Sequence, residues 1–543
     1  MTTVVRPAPD MGAGAGATSS AETVASSPQP RRLSPSWLSS SWLSSSWPGQ
    51  VGLVLVVCFV VSVVTLGRAS LSLDESVSAT LAKSPWHVFT QTVLHRETNM
   101  VLYYALLRLW DAAASPVLGG VAGPEAVLRS LSVLASVAAV AVVMVVTRRL
   151  FGPRVALVCG ALLALDPLVV MFAQDARGYA LSLLLVSGSS ALFVRGIGFG
   201  GGDDAQASAV VWVAYAALSA LAAYANFWAA LVPLAHAVSL AFVPAGTVPW
   251  RRLVPTAVGL GALLVPLGLL IRASDSAGVN WAAGSSAGKL ISKVRADVPH
   301  AVIDLAALAA VAVVVALVVL VRRRPSWHVP LERWPVVFTL CWLLVPIAAV
   351  VLLSLTYKPL LVLRYLVVCL PPLLMLVAYA LSRLGPARAV RGALATLALL
   401  ALSLAGTGAL AAHGSPQNWR GAVASVTARS EPGDGVIVFA PYTRIPFQWY
   451  VVRQAAVSNL HPLFPAGAWS TDALRYDSSI TLTRSAIEAA ASARARVWLV
   501  LSQQELYPAE ETALAAGLRA AGLAPGPPTV FHGVEVVLYT ARS

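Results

Sequence analysis

Long apolar runs separated by short arginine-bearing stretches organise this chain of 543 residues. Runs lie at Val51–Leu66, 126–147, 155–173, 178–194, 209–224, 227–243, 253–271, 301–321, 335–355, 361–382 and 391–411. A helix needs roughly 17–25 mostly apolar residues to cross a hydrocarbon layer about 30 Å thick. The pattern therefore predicts a polytopic α-helical membrane protein of about eleven transmembrane helices. The two runs around "AAYANFWAA" are short and almost fused, which leaves a count of ten to thirteen. Val51–Leu66 has the length of a signal-peptide core, but no convincing small-residue cleavage site follows, so a retained first helix is expected.

The pattern breaks down at both ends. Residues 1–48 are rich in Ala, Ser, Gly and Pro without apolar periodicity, the composition of a disordered cytoplasmic tail. Within them Trp37, Trp42 and Trp47 recur at five-residue spacing, either as an interfacial anchor or as plain low-complexity sequence. Residues 412–543 gain charge and turn residues, and the strand-like runs "GVIVFA", "RVWLVLS" and "VEVVLYT" alternate with helical patterns such as "SAIEAAASARA". That alternation predicts an α/β domain following the membrane domain of residues 49–411. Residues 67–125 are too polar to span and too apolar to be a free loop, as amphipathic helices lying on a membrane would be.

Composition agrees with a membrane protein and adds orientation. Hydrophobic residues make up 57% and charged residues 11%, with a mean hydropathy of +0.75. The formal net charge of +14 would suit a nucleic-acid binder, but the arginines cluster between apolar runs, where topology explains them. With the N-terminus inside, Arg148, Arg149 and Arg154, Arg195, Arg251 and Arg252, Arg322–Arg324, and Arg383, Arg388 and Arg391 all fall on the cytoplasmic side. Residues 67–125, 272–300, 356–364 and 412–543 then lie outside, and the C-terminal α/β domain is extracytoplasmic. The four cysteines (Cys58, Cys159, Cys341, Cys369) sit within apolar runs without metal spacing and read as packing residues.

The polar residues of the outer segments carry the candidate chemistry. Asp74 and Glu75 follow the first helix; adjacent side chains on a helix point about 100° apart, so one can face a cleft while the other holds a partner. In "FAQDARGYALSLLL", Asp175 and Arg177 precede an apolar run, at a helix N-terminus suited to an anion. Ordinary capping by Asp175, with Arg177 in the headgroup layer, would produce the same pattern. Asp166 lies in an apolar run ahead of Pro167, and reads either as a functional intramembrane carboxylate or as part of a helix break. In "TYKPLLVLRYLVV", Lys358 and Arg364 stand outside against the positive-inside trend, for a lipid phosphate or by snorkelling. The glycine-rich "GFGGGDD" follows no strand and reads as a flexible loop, which disfavours a nucleotide-sugar site.

Four blocks in order give these residues a family likeness: "LSLDESVSATLA"; "NMVLYYALLRLW" followed by "AVLRSLSVLASVAAVAVVMVVTRRLFGPRVALVCGALLALDPLVVMFAQDARGYAL"; "RYLVVCLPPLLML"; and "QNWRGAVASVTARSEPGDGVIVF". Over roughly residues 50–450 the chain resembles the GT-C superfamily of integral-membrane glycosyltransferases, in particular the bacterial family 39 type related to protein O-mannosyltransferases and aminoarabinose transferases. The resemblance implies a polyprenyl-phosphate sugar donor, an envelope glycan, lipid or protein acceptor, and inverting transfer at the non-cytoplasmic face. It implies Asp74 as base with Glu75 its neighbour, Asp175, Arg177 and Tyr179 along the cleft, and Arg364, with Lys358 and Tyr365 beside it, toward the donor phosphate. It leaves a divalent metal open. Two departures stand out: Asn99-Met100 where many relatives have two prolines, and Asn226 where many have a histidine.

Two other functions compete with transfer. A lipid-linked sugar transporter or flippase needs ionisable groups within the bilayer and preferably internal repeats, whereas most polar groups here gather toward one face. A catalytically inactive relative that binds envelope glycans or a protein is the other.

Overall fold

The computed structural model describes residues 46–199, 208–243, 248–274, 329–356, 362–383, 389–413, 416–470, 484–503 and 508–541. The tail proposed at 1–48 is therefore almost wholly outside the described residues, as are the apolar run at 301–321, most of 272–300, and Lys358.

Glycine and proline set the helix boundaries at the start of the fold. Helices α1 (Trp47–Val63), α2 (Leu73–Lys83), α3 (Trp86–His95) and α4 (Val101–Ala122) lead to α5 (Pro124–Phe151) and α6 (Pro153–Leu165). Gly123 (φ 79°) and Gly152 (φ 91°) take the positive φ that side chains resist, and each is followed by proline at the first helical position. The result is two abrupt reversals. Asp166 makes a third break. Its Oδ1 accepts from the Leu168 and Val169 N–H groups at 2.9 and 3.3 Å, capping α7 (Pro167–Ala173), which is bent 58° from α6. Asp166 is thus part of a helix break.

The membrane part continues through α8 (Tyr179–Gly196), α9 (Ala209–Ala225), α10 (Leu231–Ser239), α11 (Trp250–Ala273), α12 (Trp334–Thr356), α13 (Leu370–Ser382) and α14 (Ala389–His413). Among the described residues, five helices are long and apolar enough to cross a membrane, and the bent α6–α7 pair makes a sixth. Four further apolar helices are shorter: Trp47–Val63, Ala209–Ala225, Phe227–Phe242 and Ala395–Gly406. By length the described helices do not reach the expected eleven, because polar breaks at Asp166 and Asn226 shorten the apolar elements and 301–321 is outside.

Helix α5 packs against α6 and α8, and α8 against α9. Between α8, α9, α10 and α12 a buried aromatic group of Phe193, Tyr215, Phe338 and Trp342 surrounds His236. Both imidazole nitrogens of His236 are satisfied, at 3.1 Å from Ser190 Oγ and 3.1 Å from Tyr215 OH, as a buried polar ring requires. Apolar side chains on the outside, such as Val210, Val213, Val258 and Leu269, are exposed, the arrangement expected where lipid is the solvent.

The C-terminal region is α/β. Helices α15 (Trp419–Ala428), α16 (Arg444–Val451), α17 (Arg484–Ala491) and α18 (Pro508–Ala520) accompany strands β1 (Asp434–Phe439), β2 (Leu460–Phe464), β3 (Arg496–Leu501), β4 (Leu523–Pro525), β5 (Thr529–Phe531) and β6 (Val534–Ala541). The sheet order is β2-β1-β3-β6-β4 with β5 also on β6; β1 is parallel to β2 and β3, and β6 is antiparallel to its neighbours. Central β1 is buried along its whole length and correspondingly reads as an unbroken apolar run after Asp434.

The segment between α1 and α2 is gripped from two sides. From the C-terminal region, the Ser70 hydroxyl donates to the Gln417 carbonyl (2.6 Å), the Leu71 N–H to Tyr450 OH (2.8 Å) and the Leu73 N–H to Gln417 Oε1 (3.1 Å). Arg420 and Tyr450 both bind Glu125, at 2.8 and 3.1 Å. From the bundle, Arg129 on α5 makes a two-pronged contact with Glu75 (Nε–Oε1 2.6 Å, Nη2–Oε2 2.8 Å). Its remaining donors reach the carbonyls of Leu66, Ala69 and Ser70 at 2.8, 2.9 and 3.1 Å. Arg129 and Glu75 are both buried. Removing one member of such a pair leaves an uncompensated buried charge. Arg129→Met should therefore lower stability by about 3–5 kcal/mol, read as a fall in the thermal midpoint in detergent. Because Arg129 also serves three carbonyls, replacing Glu75 by Leu as well should restore only part of it; full recovery would show that the carbonyl contacts contribute little.

Candidate functional site

The site begins with the first turn of α2. Ser72 caps it: its Oγ accepts from Glu75 N (3.2 Å), and Glu75 Oε2 accepts from Ser72 N (3.0 Å). With Glu75 turned inward to Ser72 and Arg129, helical geometry rotates the preceding side chain by about 100°. Asp74 accordingly faces the other way, where its Oδ2 accepts from Arg364 Nη1 at 3.0 Å. The two carboxylates read together from the sequence thus separate. Glu75 does not open onto a cleft but is consumed by an anchor, because Arg129 and two backbone N–H groups occupy its oxygens. Asp74 keeps 43% of its side chain exposed and Arg364 keeps 32%.

The turn at residues 174–178 is fastened to this element. Gln174 Nε2 donates to Ser62 O (3.0 Å) and Thr65 Oγ1 (2.7 Å) at the end of α1, and the Ala176 N–H donates to Glu75 Oε1 at 3.1 Å. Gly178 is the position where a side chain is forbidden by space: a Cβ would meet the Ala225 carbonyl oxygen at 2.5 Å. The backbone of α8 can therefore start against the end of α9, with Asp175 and Arg177 held beside α2.

Arg177 and Asp175 are treated differently by their surroundings. Arg177 Nη1 donates to Tyr104 OH at 2.7 Å; that hydroxyl donates to Glu97 Oε2, also at 2.7 Å, and the guanidinium lies 3.8 Å from Glu97. Arg177 Nε is buried without a partner among the described residues. Asp175 takes no side-chain hydrogen bond or ion pair among the described residues; burial and the carboxylates of Glu75 and Asp74 push it well above the ordinary carboxylate range, against Arg177 and Arg129. At Asp74 burial works in the same upward direction, but Arg177 and Arg364 outweigh it and hold the carboxyl below its usual value.

Arg364 and Tyr365 stand on a 3-10 segment, Leu363–Cys369, that leads into α13. The Tyr365 ring stacks on Trp228 (centroids 5.3 Å, 27°), in the 3-10 turn Phe227–Ala230. Two asparagines hold that turn: Asn226 Oδ1 accepts from Trp228 N (3.2 Å) and Asn99 Oδ1 from Phe227 N (3.1 Å). These are two of the residues at which the chain departs from the resemblance, and both here cap a helix end. Tyr179 is buried at the start of α8 with its ring against Phe172 (4.8 Å). Lys358 is outside the described residues.

The structure thus brings together Asp74, Asp175, Arg177, Arg364 and Tyr365, all at or near helix ends, with Tyr179 close by at the start of α8. Sequence reasoning missed Glu97, Tyr104 and Arg129. Arg129 did carry a signal, being a charge inside the apolar run 126–147. Glu97 and Tyr104 carried none, since their significance lies in meeting Arg177 across 73 residues of sequence or more. Among the described residues, no three His, Cys, Asp or Glu side chains are grouped so as to hold a metal ion.

No family model matches the chain, and no curated protein sequence matches it. Solved structures do. ArnT from Cupriavidus metallidurans bound to undecaprenyl phosphate is 17% identical, with a TM-score of 0.52 over 91% of this chain and 98% of that one. Its apo state is 16% identical, with a TM-score of 0.50 over 90% and 98%. The oligosaccharyltransferase AglB from Archaeoglobus fulgidus, in complex with an inhibitory peptide and a dolichol-phosphate, is 14% identical, with a TM-score of 0.50 over 92% of this chain and 75% of that one. At such identities the likeness establishes the fold alone, which this chain shares with those proteins.

The opposite shifts at the two aspartates give opposite pH signatures. Asp175 is raised, so the folded protein keeps a proton that the unfolded chain has released; the stability this contributes is present in acid and lost as pH rises through the native value. Asp175→Asn, neutral at every pH, should gain in thermal midpoint over the wild type as pH rises. Asp74 is lowered, so its contribution is present above the ordinary carboxylate range and lost as pH falls through the native value. Asp74→Asn should be less stable than wild type at neutral pH and converge with it in acid. Parallel pH curves for either variant would contradict its assignment.

Proposed function

We propose that this chain is a glycosyltransferase of the family 39 type, which transfers a hexosyl or pentosyl group from a polyprenyl-phosphate donor to a hydroxyl of an envelope glycan, lipid or protein at the outer membrane face. The observation that carries the reading is the Asp74–Arg364 pair at 3.0 Å, half open, with Arg177 acting on the same carboxylate. A base and two cations in one cleft are what displacement of a phosphate by a hydroxyl requires. That the fold's solved neighbours are described with undecaprenyl phosphate and dolichol-phosphate supports a lipid phosphate as the donor's leaving group.

In the reaction the acceptor oxygen attacks the anomeric carbon. The new O–C1 bond forms as the C1–O bond to phosphate breaks, and the electron pair leaves with the phosphate. A single displacement inverts the anomeric centre. Asp74 takes the hydroxyl proton in the transition state, a contribution typically of about 10²–10⁴-fold. Paired with Arg364 it is a weak base; a donor phosphate that draws Arg364 to itself releases the carboxylate and raises its proton affinity at the moment it is needed. Arg364 and Arg177 stabilise the charge that grows on the phosphate. Asp175, whose proton affinity burial and the neighbouring carboxylates raise, adds a polar group toward sugar or acceptor hydroxyls.

The arginine-rich inner loops support an orientation with the N-terminus inside and residues 412–543 outside, which puts the cleft and the α/β region on the non-cytoplasmic face. The grip of that region on residues 70–73 then supports α2 from the outer side.

Incorporation of labelled sugar from defined polyprenyl-phosphate donors, by purified protein in liposomes, tests the reading. Asp74→Asn should fold and lose activity by about 10²–10⁴-fold; wild-type turnover in that variant would remove Asp74 from the role of base.

Arg177→Ala or Arg364→Ala should raise the donor KM by about ten- to a hundredfold, from a charge-assisted contact of roughly 1.5–3 kcal/mol, with less effect on the acceptor KM. Lysine at 177 should rescue only in part, because an ammonium lacks the planar fork of a guanidinium. An unchanged donor KM would show that neither arginine holds the phosphate.

A further inference from the structure

Resting on that reading, the two arginines of the site differ in how each meets a carboxylate. Arg364 meets its counter-charge, Asp74, directly and in a half-open place. Arg177, which also acts on Asp74, reaches its nearer carboxylate, Glu97, through a hydroxyl. Tyr104 OH is 2.7 Å from Arg177 Nη1 and 2.7 Å from Glu97 Oε2, which leaves guanidinium and carboxylate 3.8 Å apart. Tyr104 cannot retreat: it is fully buried, its ring stands edge-on to Tyr103, and Tyr103 OH is 2.9 Å from Ser132 Oγ on α5. These contacts use Nη1 alone. Arg177 Nε is buried and without a partner among the described residues, so an anion can be taken up while Glu97 stays where it is.

The chemistry of the transfer makes such an arrangement useful. The donor is a phosphodiester with one negative charge, whereas the lipid phosphate left after transfer is a monoester carrying about −1.5 to −2 near neutral pH. Two bare arginines would therefore hold the product more tightly than the substrate and stall the next turnover. A carboxylate kept one hydroxyl away from Arg177 offsets part of its charge without neutralising it, and opposes the extra charge of the monoester more than the single charge of the diester.

We propose that Glu97, acting through Tyr104, is a specificity-determining positioning residue that biases the phosphate subsite toward the lipid phosphodiester and favours release of the phosphomonoester product. Glu97 touches no reacting atom; it acts on Arg177, and Tyr104 sets how strongly.

The test is equilibrium binding to the full-length protein in nanodiscs, with two probes: a polyprenyl monophosphate and its methyl phosphodiester, which differ in charge and little else. Glu97→Gln should tighten monoester binding by about tenfold and diester binding by less than about threefold. Tyr104→Phe, which removes the spacer hydroxyl, should weaken both probes together. In turnover, the monophosphate should inhibit Glu97→Gln at correspondingly lower concentration. If Glu97→Gln does not fold, Glu97→Asp keeps the charge at a shorter reach and should tighten the monoester by a smaller factor than that expected for Gln. A monoester-to-diester ratio equal to wild type in a folded Glu97 variant would overturn the proposal, since a purely structural glutamate would change stability and leave the ratio alone. Failure of the wild type to bind either lipid would instead overturn the reading of the site as a lipid-phosphate subsite, and this inference with it.

Discussion

The pairing of Arg129 with Glu75 is the constraint on which the site depends. It is buried, two-pronged, and reinforced by three backbone carbonyls from the segment between α1 and α2. That one guanidinium joins the first turn of α2 to the start of α5, and Glu75 passes the connection on to Ala176 in the turn before α8. Two elements a hundred residues apart thus share a single anchor. Each has candidate site residues next to the anchored one: Asp74 beside Glu75, Asp175 and Arg177 on either side of Ala176. A buried ion pair is a weak source of net stability, because desolvation offsets most of the attraction. Its contribution here is geometric, and it holds only while both partners are present.

Around that anchor the fold gathers helix ends. Gly123-Pro124, Gly152-Pro153 and Asp166-Pro167 turn the chain or interrupt a helix, and Gly178 lets the turn before α8 lie against the carbonyl of Ala225. Asn226 and Asn99 hold the 3-10 turn whose Trp228 supports Tyr365 beside Arg364. Helix ends expose unpaired backbone groups, so a place where several meet accommodates polar side chains that the apolar interior excludes. The α/β region closes the other side of the same segment through Gln417, Arg420 and Tyr450.

Charge is distributed so that neighbouring groups differ in state. Two arginines hold the Asp74 carboxyl below its usual range, whereas burial and neighbouring carboxylates push Asp175 above it. Environments of this kind push the proton affinities of two neighbouring carboxyl groups in opposite directions. Arg364 and Arg177 are likewise distinguished, one by direct and one by hydroxyl-mediated contact with a carboxylate.

The sequence alone pointed to a helical membrane protein with an α/β C-terminal region, because hydrophobic periodicity and strand-like runs are local properties of the chain. It also singled out Asp74, Asp175, Arg177 and Arg364, since charge stands out in a chain with so little of it. It could not tell Glu75 from Asp74. Both are acidic residues in one turn, and only the position of Arg129 decided which faced inward. Nor could it attach Glu97 and Tyr104 to Arg177, or show that Asn226 and Asn99 support the same turn. Those assignments rest on contacts between residues distant in sequence, and such contacts exist only after the helices have packed.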